Sequence, residues 1–225
     1  MKSLIVRKAF LKSLPVMAGY VVLGIGFGIL LGNAGYGVVW AAAMAVFIYA
    51  GSMQYVGVGL LAGGAGILAT ILTTVMVNAR HLFYSISMIG RYKNAGRYKP
   101  YLIFALTDET YSLVCSGEDR ALPYCFRLSL LNHSYWVTGT ALGALAGALI
   151  PFNSEGIDFA LTALFVTVFL EQWLTNADHR PALIGVGASA ACLLLFGPDS
   201  FLLPSMAAIV ALLLFMGRKE AAVRD

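Results

Sequence analysis

Charge is the scarcest feature of this sequence. Of 225 residues only 12% are charged while 60% are hydrophobic, and the mean hydropathy is +0.81. A soluble domain is about a quarter charged, so a soluble enzyme, a disordered chain and a nucleic-acid-binding module are excluded. Cysteine is sparse as well: Cys115, Cys125 and Cys192 lack metal or redox spacing and are expected as packing residues. The apolar runs lack the two-residue alternation of a transmembrane β-barrel. No P-loop, HExxH or GxSxG occurs, which argues against nucleotide-driven and hydrolytic chemistry. No metal or cofactor is expected, and no enzyme.

What remains is an all-α polytopic membrane protein. The net charge of +4 comes from basic residues lying mostly between apolar runs and at the two ends, as juxtamembrane charges do, so it does not point to nucleic acid. Lys2, Arg7, Lys8 and Lys12 precede the first run and superficially resemble a signal peptide. The chain stays apolar to Phe215, so this segment reads as a retained anchor. With about 20 residues needed to span the hydrocarbon, residues 1–225 are expected as a single membrane domain of about seven or eight helices. The segments run near 14–31, 36–61, 67–89, 101–115, 130–150, 157–174, 181–196 and 201–216.

Orientation stays open between two counts. Eight spans with the N-terminus inside put ten basic residues inside and four outside, those four being Arg91, Lys93, Arg97 and Lys99. Seven spans, with segment two or three re-entrant, give eight against six. Gly24, Gly28 and Gly32 in segment one, and Gly139, Gly143 and Gly147 in segment five, form four-residue ladders that let helices approach closely. They also admit a reading of residues 14–115 and 130–216 as diverged halves.

Polar groups sit near the middle of three consecutive segments, where a charge costs at least ~2.5 kcal/mol. These are Ser52 and Gln54, then Asn78, Arg80 and His81, then Thr107, Asp108 and Glu109. Residues 36–61 are too long for one straight span, and Ala50-Gly51-Ser52 lies near their centre, so a mid-membrane helix break is expected there. Thr70, Thr74, Asn78, His81 and Ser85 are spaced to line one face of segment three, with Thr70 and Thr74 expected in interhelical hydrogen bonds. Arg80 either pairs structurally with Asp108 or Glu109, or takes the carboxylate of a zwitterion through its planar fork. In the second case Asp108 or Glu109 takes the ammonium or a coupling proton, and His81 could relay a proton. Glu171 near the end of segment six could line the pathway. His133 and His179 are weaker candidates. Trp40 and Trp136, near segment ends, are expected as interfacial anchors.

Tyr49-Ala50-Gly51-Ser52-Met53-Gln54-Tyr55, Asn78-Ala79-Arg80-His81-Leu82-Phe83-Tyr84-Ser85 and Leu106-Thr107-Asp108-Glu109 resemble the AzlC family in order and spacing. Ala163-Leu164-Phe165 followed by Glu171-Gln172 is similar too. The resemblance extends over nearly the whole chain. It implies a multi-pass protein of the bacterial cell (inner) membrane that exports branched-chain or related apolar amino acids. Such proteins are expected to be driven by the proton motive force and to work with a small AzlD-type membrane subunit. The substrate-binding candidates are then Ser52, Gln54, Asn78, Arg80, Asp108 and Glu109, and the proton-coupling candidates His81, Asp108 and Glu109. The alternatives are a structural subunit whose partner forms the pathway, or a channel or transporter for another small solute.

Overall fold

A computed structural model describes residues 2–116, 121–149, 162–163, 166, 169–170, 173–174, 178–197 and 201–224. Regular structure among them is entirely helical. Residues 1–161 form one compact unit and 162–225 a second.

The first unit contains α1 (Lys2–Asn33), α2 (Val38–Phe47), α3 (Gly51–Ala62), α4 (Ile67–Val77) and α5 (Ala79–Met88). A 3₁₀ turn at Gly96–Tyr98 leads into α6 (Lys99–Phe104), followed by α7 (Asp108–Ser116) and α8 (Leu122–Leu149). The seam between α1 and α8 is its backbone. A Cβ placed on Gly24 would lie 2.9 Å from Thr140 N, one on Gly28 would lie 2.5 Å from Ala144 N, and one on Gly143 would lie 2.6 Å from Ile25 Cα. The two glycine ladders therefore face each other and allow main chain to meet main chain, as small residues do between membrane helices. Gly32 faces open space and takes no part. Gly139 meets Val21 and Gly147 meets Ile29. Moving eight residues along α8 thus moves eight along α1 in the same sense, and the two helices are parallel.

Segment two is not a single span. It breaks at Ile48–Ala50, as its length and Gly51-Ser52 lead one to expect, but it also doubles back. The end of α2 lies against α8, where His133 Nε2 donates to Ala45 O at 3.2 Å. The following helix, α3, then returns toward the far end of α1. Its Tyr55 hydroxyl donates to Leu23 O at 2.6 Å, its Tyr55 ring packs on Phe27, and a Cβ on Gly57 would lie 3.8 Å from Met44 Cε. A continuous helix would hold Met44 and Gly57 about 20 Å apart at ~1.5 Å per residue. At the tip, Tyr49 has φ +44°, a left-handed conformation uncommon for a non-glycine residue. Gly51 admits the edge of the Trp136 indole, since its Cβ would sit 3.1 Å from that ring.

Segment three crosses the unit as α4 and α5, bent by 47° at Asn78. The expected single polar face is therefore split between two helix axes. Thr70 and Thr74 do not bond to neighbouring helices either. Their hydroxyls donate to Gly66 O and Thr70 O, one turn back in their own helix, a local satisfaction always open to Thr.

Segment four also folds back on itself. Along α6, Tyr98 and Tyr101 pack on Phe126, and Phe104 then reaches His133. Ala105–Thr107 form the tip. Thr107 caps α7, its Oγ1 accepting from Thr110 N–H at 3.3 Å, and two acids stand in the first turn, where the helix dipole favours them. Next, α7 runs back until Val114 joins Tyr92, Tyr124, Cys125 and Leu128 in one buried cluster. Ala9 of α1 and Ala95 of the basic loop belong to that cluster too. The loop at Arg91–Lys99 thus lies at the same end as the N-terminus of α1, not at the opposite end as the eight-span count required.

Of these elements α1 is long and apolar enough to cross a membrane, and α4 with α5 meets the same standard as a bent pair. Their outward faces carry Val22, Ile67, Leu68, Phe83 and Ile86, all well exposed, a surface suited to hydrocarbon.

In the second unit α9 (Arg180–Phe196) packs on α10 (Leu202–Arg224). Asp178 Oδ1 accepts the Arg180 N–H at 3.0 Å, which with Pro181 starts α9 as the Asp-then-Pro pattern suggests. The Trp173 ring stacks on His179 at 4.1 Å. Glu171 lies outside the described residues.

Candidate functional site

The two hairpin tips and the bend at Asn78 converge, and that convergence brings three distant sequence segments together. Arg80, in the first turn of α5, places Nη1 2.9 Å from Asp108 Oδ2 and donates from Nη2 to Ser52 Oγ at 3.0 Å. Each helix contributes its first turn, so the broken backbone itself delivers the polar groups. The pair is half-buried, with side-chain exposures of 37% and 35%. Arg80 Nε and Asp108 Oδ1 are buried and lack hydrogen-bond partners. The pair thus keeps one free donor and one free acceptor, a complement to a carboxylate and an ammonium.

A second polar layer runs from the exposed Glu109 into the buried interior of the unit. The Tyr20 hydroxyl lies 2.6 Å from both Glu109 Oε2 and Thr107 Oγ1. Its single proton serves one of these acceptors at a time. Thr107, Thr110 and Asn132 continue the chain, with Asn132 Nδ2 donating to Thr110 Oγ1 at 3.0 Å. Glu109 therefore sits beside Asp108 in sequence but belongs to another network.

Gln54 is fully buried, and its Oε1 accepts the Trp136 indole N–H at 2.9 Å while its Nε2 has no partner. Trp136 is consequently no interfacial anchor. It is 3% exposed and packs against Tyr20 and Phe27, since a buried indole needs an acceptor and Gln54 supplies one. Asn78 forms the bend, with no side-chain cap bond. His81 lies edge-on to the Tyr84 ring at 6.0 Å and, among the described residues, is ion-paired to neither acid.

The structure thus unites Ser52, Arg80 and Asp108, and sets Gln54, Glu109, Asn78 and His81 around them. Tyr20, Asn132 and Trp136 escape a reading by mid-segment polarity, because their polar ends are carried on α1 and α8 into a site built by other segments. His133, a weaker candidate from the sequence, connects the hairpins. Its Nε2–H goes to Ala45 O, leaving Nδ1 to accept from the Tyr101 hydroxyl at 3.2 Å, and its ring stacks on Tyr49 at 4.2 Å. Cys115 is exposed, against the expectation of a packing role, while Cys125 and Cys192 are buried. Among the described residues, no group of three His, Cys, Asp or Glu side chains could hold a metal ion.

Comparison with known proteins gives a family. The family model described as AzlC protein matches residues 15–150. A Bacillus subtilis relative named branched-chain amino acid transport protein AzlC is 42% identical over 212 residues, covering 92% of this chain and 83% of the relative. A Helicobacter pylori protein named uncharacterized membrane protein is 38% identical over 219 residues, covering 95% and 96%. The Escherichia coli inner membrane protein YgaZ is 27% identical over 201 residues, covering 84% and 82%. No solved structure matches the chain.

Proposed function

The chain belongs to the AzlC family, and we propose that it is a secondary membrane transporter exporting branched-chain or related apolar amino acids from the bacterial cell. It is not an enzyme; its polar groups form a binding arrangement inside a helical membrane protein. The observation that carries the reading is the Arg80–Asp108–Ser52 cluster, which lies where two helical hairpins meet a bent helix. An amino acid has the charge pattern of that pair in reverse. Its carboxylate would take the Arg80 fork and its ammonium Asp108, so that a bound zwitterion replaces the internal ion pair. Gln54 and Asn78 flank this position. Glu109, held by Tyr20, is the proton-coupling candidate, with His81 beside the pathway. A B. subtilis relative named for branched-chain amino acid transport supports the substrate class.

In this reading α1, the α4–α5 pair and α8 cross the inner membrane, while α2–α3 and α6–α7 enter from opposite faces and return. Hydropathy counts each hairpin as a span, which is how eight arises, while the seven-span count already takes segment two or three as re-entrant. The turns at residues 34–37 and 63–66 carry no charge, whereas the other end carries Arg7, Lys8, Lys12, Arg91, Lys93, Arg97, Lys99 and Arg127. The positive-inside rule makes that basic end cytoplasmic. A small AzlD-type membrane subunit completes the exporter.

The test is efflux of preloaded radiolabelled leucine from cells making this chain alone, with the small subunit, or with the small subunit and Asp108→Asn. Efflux that needs the partner and disappears in an assembled Asp108→Asn complex is expected. Efflux indifferent to Asp108→Asn would discard the site and keep the exporter. No efflux of any apolar amino acid would discard the exporter.

A further inference from the structure

Between the Arg80–Asp108 pair and the basic end of the unit, α5 and α7 run side by side in register. Asp108 faces Arg80, Tyr111 faces Tyr84 and Ser87, and Cys115 lies with Arg91. The Tyr84 and Tyr111 rings stack at 4.4 Å and 17°, and Ser87 Oγ, which donates to Tyr84 O at 2.8 Å, lies 3.1 Å from the Tyr111 hydroxyl. Beyond this stack lies a cavity of about 390 Å³ lined by Ser87, Met88, Arg91, Tyr111 and Cys115. Arg91 brings a guanidinium to it whose Nε and Nη2 are buried and have no hydrogen-bond partner. Two buried donors on one face of a planar cation are costly to leave unpaired, and they match the two oxygens of a carboxylate.

We propose that this cavity is a second binding site for the substrate's carboxylate, an entry position at Arg91 separated from Arg80 by the Tyr84–Tyr111 stack. The proposal rests on the amino-acid transport reading and adds a site to it. Arg91 follows the end of α5 and lies eleven residues beyond Arg80, with Tyr84 and Ser87 between them at spacings of four and three. Tilting of the two tyrosine rings would open the route between the arginines. Arg91 recognises only the carboxylate end, so the entry site is less selective than the inner one, where Asp108 also requires an ammonium.

Cys115 is a built-in reporter. It is exposed and lines the cavity, and the other two cysteines are buried. The experiment measures the rate at which a charged thiosulfonate modifies Cys115 in membranes containing this chain and its small subunit. Leucine, 4-methylpentanoate (which lacks the amine) and leucinamide (which lacks the carboxylate) are the competitors, and Cys115→Ser is the blank. Leucine and 4-methylpentanoate are expected to slow modification at least fivefold, and leucinamide to leave it unchanged. Arg91→Gln should raise the half-protecting leucine concentration at least tenfold, with Arg91→Lys in between. The wild-type competitor series needs no variant and stands if Arg91→Gln misfolds. Protection by leucinamide equal to that by leucine, or no protection while leucine efflux proceeds, would overturn the entry site and leave the transporter. Carboxylate-specific protection in a protein that exports no amino acid would keep the site and overturn the transport reading.

Discussion

Tyr49, at the tip of one hairpin, and Phe104, at the tip of the other, lie with ring centroids 6.1 Å apart. His133 of α8 sits between them, bonded to the carbonyl end of α2 and to Tyr101 of α6. Two helical hairpins therefore meet here through aromatic rings and one imidazole. Aromatic contact is weakly directional, worth about 0.5–1.5 kcal/mol per pair, so the meeting point can separate without breaking either hairpin.

Removing His133 is expected to loosen both tips. His133→Phe keeps a ring for Tyr49 but leaves the Ala45 carbonyl and the Tyr101 hydroxyl unpaired, a loss of about 1–3 kcal/mol for a buried polar group left without its partner. Tyr101→Phe deletes one bond with its donor and is expected to cost only about 0.5–1.5 kcal/mol. Thermal unfolding in detergent ranks the two. Hydrogen exchange at Ile48–Ala50 should rise in His133→Phe and stay near wild type in Tyr101→Phe.

Arg80→Lys and Arg80→Ala are both expected to reduce leucine export at least tenfold. Lysine keeps the charge but cannot hold Asp108 and Ser52 at once as the fork does. Folding should change little, because the pair is more than a third exposed and exposed pairs contribute about 0–1 kcal/mol. Export and melting temperature measured on the same preparations separate the two effects. Loss of both together would assign Arg80 to structure alone.

Side-specific labelling tests the hairpin topology. In a background without reactive cysteine, an impermeant maleimide added outside intact cells should modify Ala65→Cys and spare Lys93→Cys. Permeabilising the cells should expose the second. Labelling of both from outside would remove α4–α5 as a crossing segment, and labelling of Lys93→Cys alone would restore the eight-span count.

The glycine seam predicts a contrast between a ladder glycine inside it and one outside it. Gly143→Ala pushes a methyl into the Ile25 main chain, and such overpacking costs about 1–3 kcal/mol. Gly32→Ala meets no atom within 4 Å and should be neutral or slightly stabilising through its helix propensity. A melting temperature lowered equally by both would refute the seam as drawn.

Much of the site was legible because membrane interiors make polar residues conspicuous. Ser52, Arg80 and Asp108 stood out against apolar neighbours, and the break near Gly51 followed from the length of its segment. The direction taken after a break was not legible. Hydropathy records depth and not heading, so segment four read as a span although it returns, and segment two stayed open between a span and a re-entrant element. Segment four did carry a signal: Thr107-Asp108-Glu109 is a helix start, an N-cap followed by acids in the first turn, buried inside what otherwise passes for one apolar run. The pairings of Tyr20, His133 and Trp136 were hidden for a different reason. Their partners lie 87 to 89 and 82 residues away, and pairing at such separations is a property of the fold. The ladders foretold close packing, but nothing in either one named the other as its partner.

The parallel contact of α1 with α8 also divides the labour of any transport cycle. Main chains that meet through glycines leave few side chains to repack, so in the proposed transporter these two helices would serve as a stator. The moving parts must then be the pieces that touch it through rings and single hydrogen bonds, namely the two hairpins and the elbow at Asn78. Alternating exposure in this protein would be a stroke of short half-helices against a fixed spine, with no need for two large domains to rock.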